Sequence, residues 1–366
     1  MGTRLNPGTE PTPPGCAPTW VEYFRDIQAY LHELAFTSAA TYSIAGTAIR
    51  LQFGSECFAE QVSHAFSHLE IAPDSGASLT VLLHDLASAP YAAEFLQEFS
   101  PPGEESDMWL MDSPDLMLIL QRPRRVFAAV DWNTNTAYWL IPDAGAMPYL
   151  ERARPLKLLL TYWFGMQGRY LIHAAAVGNR HGGALVVGHG GAGKSTTALS
   201  CLNAGLGYAA DDHCLIRLGA SPSVHSIYDT GLLAAEDLYR FPALAPAAAS
   251  SDCPAGEKVA FFFDRLPAIR LTPSFSLRAI LLARISNSRQ SRLRGISRGE
   301  AFKAIAPSCF MHLPAARPRA FECFNALVRQ LPAYMLELGS ERNSTPAAIR
   351  ELLDRSPDGK GANHAS

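Results

Sequence analysis

The stretch Gly188–Ser195, GHGGAGKS, limits the possible folds of this chain more than any other eight residues. It matches G-x-x-x-x-G-K-[ST], and its flanks have the right periods. Ala184-Leu185-Val186-Val187 is an apolar run of strand length, and after Lys194 the residues Ala198, Leu199 and Leu202 share one helical face. A strand that ends in a glycine loop and continues as a helix gathers successive backbone N–H groups, and the positive end of a helix, around an anion. Gly188, Gly190, Gly191 and Gly193 let the backbone turn with positive φ and approach that anion closely. The pattern assigns Gly188, His189, Gly190, Gly191, Ala192, Gly193, Lys194, Ser195 and Thr196 to a phosphate cradle. Lys194 is expected to reach β- and γ-phosphates, Ser195 to offer its hydroxyl to Mg²⁺, and Thr196 to touch an α-phosphate.

Gly205 reads as the cap of that helix, and Leu206–Ala210 reads as the next short strand. Asp211-Asp212 closes this strand, seventeen residues after Lys194. Ligand sites in open α/β sheets gather outside the carboxyl ends of strands, so the pair is expected beside the loop. Two carboxylates there can divide the work: one accepts the proton of an attacking hydroxyl and the other serves a metal ion. In isolation an Asp-Asp pair is more often an Asx turn. Motor ATPases carry their metal-binding Asp much farther down the chain, and no guanine-reading N-K-x-D is present. No other base-reading motif stands out either, which leaves both ATP and GTP open.

Three segments together resemble a known family. Leu171-Ile172-His173-Ala174-Ala175-Ala176-Val177, the loop GHGGAGKST and the run AGLGYAADDHCLI are similar to the catalytic domain of HPr kinase/phosphorylase. The closer resemblance is to the HPr-kinase-like serine kinases found with peptide-modification genes, including lasso-peptide kinases. His173 lies fifteen residues before Gly188, in that family's register. The resemblance is tight over Tyr170–Ile216 and looser to about Gly339, where Val224–Tyr228, Glu257-Lys258-Val259, Leu277–Leu282 and Ala306-Pro307-Ser308 fit. It implies an α/β P-loop kinase core of the HPr kinase / PEP carboxykinase type with a mixed sheet, preceded by an α+β N-terminal domain. It also implies ATP and Mg²⁺ as cofactors, a serine-bearing peptide or small protein as substrate, and direct transfer of the γ-phosphate. In that scheme Asp211 is the general base, Asp212 and Ser195 hold the metal, Lys194 neutralises the transferring group, and His173 sits near Asp211 and tunes it. A histidine on an apolar strand is otherwise more often a core residue.

The family's E-I-R-G-L-G element, whose Glu binds metal, is missing. That weakens the case for phosphorolysis and for HPr as substrate. Glu257, or less favourably Glu236, is the replacement ligand to consider. Glu257-Lys258 also reads as a solvated charge pair opening the apolar strand Val259–Phe263. Two other functions compete with the serine kinase. A small-molecule kinase needs an arginine-rich lid, yet only Arg217 and Arg240 fall between Asp212 and Glu257. A non-catalytic nucleotide sensor or scaffold is disfavoured by the intact Lys194, Ser195 and Asp211.

The 366 residues allow two domains, and 48% hydrophobic content supports sizeable cores. A formal net charge of −3 gives no global field for nucleic acid or anionic membrane. The seven cysteines form no C-x-x-C pair, which points to a reducing compartment, and the cytoplasm is expected. No apolar run approaches the ~18 residues of a membrane span. The expected organisation is a disordered leader over 1–18, an α+β domain over 19–150 suited to substrate recognition, the catalytic domain over 151–355 and a disordered tail over 356–366. A homo-oligomer is compatible with this layout. Within 19–150 a helix with Trp20, Tyr23, Phe24, Ile27, Leu31 and Leu34 on its apolar face precedes a mostly antiparallel sheet.

Overall fold

The computed structural model describes residues 20–355, apart from 74, 88, 90–91, 93–106, 122–123, 249–257, 267 and 270. It is a mixed α/β chain that divides into two compact units, Met1–Trp163 and Phe164–Ser366. Among the described residues no helix is long and apolar enough to cross a membrane.

In the first unit α1 (Trp20–Glu33) is followed by β1 (Ser38–Ile44), β2 (Thr47–Phe53), α2 (Glu56–Ser63), β3 (Glu70–Ile71) and β4 (Leu79–Asp85). Then come β5 (Met108–Asp112), β6 (Leu116–Gln121), β7 (Val126–Asp131), β8 (Thr136–Ile141) and α3 (Tyr149–Ala153). The strands form one sheet in the order β3-β1-β2-β4-β8-β7-β6-β5. Among the described residues of this unit, only β2–β4 and β4–β8 pair in parallel. Ala45 and Gly46 both have positive φ, the mirror-type turn whose twist matches a two-residue hairpin. Phe24, Ile27 and Leu31 of α1 are buried with Leu82, Leu118, Phe127 and Tyr138 of the sheet, as their helical spacing demands. The side chains of Trp20 and Tyr23 lie outside the described residues. α2 ends at Ser63, and a 3₁₀ turn runs His64–Leu69.

The division falls inside α4 (Lys157–Met166). The second unit continues with β9 (Tyr170–Ile172), β10 (Ala175–Asn179), β11 (Gly182–Val187), α5 (Lys194–Asn203), β12 (Gly207–Ala210), β13 (Cys214–Arg217) and β14 (Ser223–His225). After these come β15 (Thr230–Ala234), β16 (Lys258–Phe262), β17 (Ser274–Ile285), β18 (Arg292–Gly295), α6 (Arg298–Ile305), α7 (Arg317–Gln330), β19 (Ala333–Leu338) and α8 (Ser344–Asp354). Among the described residues nine strands form a mixed sheet along β12-β10-β11-β17-β14-β13-β9, with β19 on β17 and β18 on β19. β15 and β16 make a separate antiparallel ribbon.

The period of two along β10 and β11 builds a core on each face. Ala174, Ala176, Leu185 and Val187 join α6 and α7 residues on one side. Ala175, Val177, Ala184 and Val186 join α5, α8 and the ribbon on the other. A strand buried on both faces reads as an unbroken apolar run, as β11 does. β17 runs parallel to β11 and β19 parallel to β17, while β12 and β11 are both antiparallel to β10. The carboxyl ends of β11, β12, β17 and β19 therefore share one edge of the sheet, and the candidate site lies there.

Candidate functional site

Gly188, Gly191 and Gly193 have φ values of 148°, 79° and 94°, in the region that L side chains avoid. These angles carry the chain from β11 into α5. Gly193 is doubly constrained, because a Cβ on it would lie 2.4 Å from Leu338 Cδ1. Gly190 and Gly191 face open space, so the outer lip of the loop is accessible. Ala192 N–H closes the turn on the His189 carbonyl (3.2 Å), and His189 Nδ1 donates to the Gly190 carbonyl (2.6 Å). At the far end of α5, Gly205 (φ 78°) forms the cap: its N–H bonds the Leu202 carbonyl and that of Leu206 bonds the Cys201 carbonyl.

Lys194 is buried, and its ammonium donates to the carbonyls of Gly188 (2.8 Å) and His189 (3.2 Å). Burial pushes its pKa below the ordinary lysine value; Asp212 and Asp211 oppose the shift and Lys258 adds to it. These charges are therefore within electrostatic reach of one another. Ser195 and Thr196 are half-buried in the first turn of α5.

The two aspartates do different things. Asp211 is buried, and its Oδ2 accepts the Leu232 N–H of β15 (2.7 Å). Tyr208 lies beneath it, donating its hydroxyl to the Thr230 carbonyl (3.1 Å), and burial holds that phenol well above the usual tyrosine pKa. Asp211 thus ties the β15–β16 ribbon to the sheet, and the ribbon carries Lys258 opposite Ala234. Asp212 lies between two imidazoles instead. His173 Nε2 is 3.2 Å from its Oδ1, and His213 Nδ1 is 2.5 Å from its Oδ2. The two rings stack at 5.4 Å with 17° between their planes. The His173 side chain is 41% exposed whereas Asp212 and His213 are nearly buried, so His173 forms the open side of the group. Its backbone N–H is held by Ser308 Oγ (3.1 Å) on the 3₁₀ turn Ala306–Met311.

One expectation is corrected by this geometry: His173 pairs with Asp212, not Asp211, whose carboxylate is turned toward β15. Glu257, expected near a metal, lies outside the described residues. Glu236 is exposed on the 3₁₀ turn Ala235–Arg240 that follows β15.

No family model and no curated protein matches the chain. Among solved structures, the Hpr(Ser) kinase/phosphatase from Coxiella burnetii is similar to it. That match covers 50% of this chain and 93% of the other, at 10% sequence identity and a TM-score of 0.26. So low a TM-score carries no weight for fold or activity.

His213, Ser308 and Lys258 complete the site, and no role was expected for the first two. His213 follows the Asp pair directly, so the run Asp-Asp-His was its only signal. Ser308 is 135 positions from His173, and its signal was the run Ala306-Pro307-Ser308 that fits the resemblance without pointing to this contact.

The donor set suits a nucleotide phosphate chain: glycine amides, a buried lysine whose present acceptors are carbonyls of its own loop, and hydroxyls at a helix N-terminus. It also suits Mg²⁺, which keeps several waters and takes one or two protein carboxylates beside phosphate oxygens. Among the described residues no cluster of three or more His, Cys, Asp or Glu forms a dedicated metal cage.

Proposed function

We propose that this chain is an ATP-dependent kinase that transfers the γ-phosphate to a seryl hydroxyl of a peptide or small protein. The observation that carries this reading is the electrostatic proximity of buried Lys194 and the histidine-bracketed Asp212 at one sheet edge. A phosphate loop alone serves hydrolysis, sensing and transfer equally. A carboxylate oriented by two imidazoles beside that loop is what a hydroxyl acceptor needs in order to lose its proton. The seryl identity of the acceptor, and ATP as the nucleotide, rest on the resemblance of the motifs around His173, Gly188–Thr196 and Asp211-Asp212.

In this reading the amides of residues 188–196 hold the phosphate chain. Lys194 exchanges its bonds to the Gly188 and His189 carbonyls for bonds to β- and γ-phosphoryl oxygens. Asp212 takes the seryl proton on the oxygen beside His173, and His213 lies against the other. The acceptor enters past His173, the exposed member. Asp211 acts by position: it anchors β15, and through β16 sets Lys258 near the phosphates. Ser195 is the residue that would hold Mg²⁺, which when bound would neutralise charge on the phosphoryl oxygens; in this reading Asp212, first expected to support the metal, is the base, and Asp211, first expected as the base, is the anchor. The missing E-I-R-G-L-G element favours forward transfer over phosphorolysis.

The test is incubation with Mg-ATP and a panel of serine-containing peptides, read by mass spectrometry. A phosphate on a peptide serine, lost together with nucleotide affinity in Lys194→Ala, is the expected result. ATP binding with no transfer to any hydroxyl acceptor, small molecules included, would instead indicate a sensor.

A further inference from the structure

The sheet order places the Asp pair on one side of the phosphate loop and leaves the other side to be explained. Asp211-Asp212 follows β12, two strands from β11 by way of β10. On the opposite side stand β17 and β19, whose last residues are Ile285 and Leu338. Neighbouring strands lie about 4.8 Å apart, so these ends are within a nucleotide's length of the loop.

Ile285 is 67% exposed, although it ends a strand whose middle, Ala279–Leu281, is buried on both faces. It adjoins the entry to α5: a Cβ built on Gly193 would lie 4.0 Å from Ile285 Cγ1 and 2.4 Å from Leu338 Cδ1. The surroundings are held by hydrogen bonds. Ser286 gives both its N–H and its hydroxyl to the Leu338 carbonyl, each at 3.0 Å. Gly339 N–H donates to Ser291 Oγ (2.9 Å) and Ser340 N–H to the Ser288 carbonyl (3.1 Å). The result is an apolar step on a fixed double loop, next to the helix N-terminus that meets the phosphates.

We propose that Ile285, backed by Leu338, is the platform on which the base of the bound nucleotide lies. If the γ-phosphate points toward Asp212, the α-phosphate and nucleoside leave the loop on the β17/β19 side, where a flat apolar ring would cover Ile285. This rests on the reading of the chain as a nucleotide-dependent phosphotransferase.

The test compares Mg-ATP with Mg-tripolyphosphate, which has the same phosphate chain and no nucleoside, by calorimetry on the full chain. Wild type is expected to bind ATP at least about tenfold more tightly than tripolyphosphate. Ile285→Ser should lose about tenfold for ATP and stay within about twofold of wild type for tripolyphosphate. Ile285→Phe should keep or tighten ATP binding. Because Ile285 is already exposed, the serine variant leaves no core cavity, and retained tripolyphosphate binding reports a folded loop. Equal wild-type affinity for the two ligands, unchanged ATP affinity in Ile285→Ser, or equal losses for both ligands would each overturn the platform. Wild type that binds tripolyphosphate but not ATP overturns it while leaving a phosphate-binding loop. Wild type that binds neither ligand overturns the nucleotide reading itself, and the platform with it.

Discussion

At Asp211 the carboxylate is already committed to a backbone N–H, so its loss should register first as a loss of stability. Asp211→Ala leaves the Leu232 N–H buried without that acceptor, at a cost of about 1–3 kcal/mol, measurable by denaturant unfolding. Unchanged stability would contradict the clasp. His84 in the first unit makes a second prediction. It is 1% exposed, neither ring nitrogen has a hydrogen-bond partner, and burial lowers its pKa from 6.5 to about 4. A proton therefore binds the unfolded chain more readily than the folded one. Stability should be level above about pH 6.5 and fall as the pH drops from there toward 4. His84→Leu should flatten that part of the acid titration, and a wild-type profile that stays level down to pH 4 would contradict it.

At the scale of elements, two glycines on the two ends of α5 separate function from fold. Gly193→Ala meets both a φ of 94° and Leu338 at 2.4 Å, so it should abolish nucleotide binding in an equilibrium titration. Gly205→Ala has a similar φ of 78° but open space around it. It should cost about 1 kcal/mol of stability and leave nucleotide affinity unchanged. The loop and its flanks were legible because the backbone turns there demand glycine and because β11 and α5 have unmistakable periods. The partner of His173 was not legible, for a local reason. β12 pairs with β10 as Tyr208 opposite Val177 and then Ala210 opposite Ala176, so Ala209 is an extra residue. This bulge puts Ala209 and Ala210 in the same core cluster and breaks the alternation just before the Asp pair. Counting by twos along the strand therefore gives no guide to which carboxylate meets His173. The 3₁₀ turn His64–Leu69 was hidden for a similar reason, since Phe66 and Leu69 also satisfy a helical stripe.

Over the whole molecule, one sheet edge collects the parts from distant stretches of chain. The loop and the Asp pair come from neighbouring segments, and their meeting was foreseeable. Ile285 and Leu338 come from later strands, and only the sheet order β12-β10-β11-β17-β19 brings them to that edge; Ser308 reaches the site from the 3₁₀ turn Ala306–Met311 through its bond to His173. The first unit has its own sheet and core. The central claim is that Asp212, flanked by His173 and His213, takes the proton of a hydroxyl acceptor beside a loop that binds the γ-phosphate. The most direct measurement is the rate of phosphate transfer to a serine peptide by Asp212→Asn, with Mg-ATP affinity measured in parallel. The account predicts a loss of roughly 10²–10⁴-fold in transfer with nucleotide affinity nearly intact. Transfer at the wild-type rate in Asp212→Asn would contradict it.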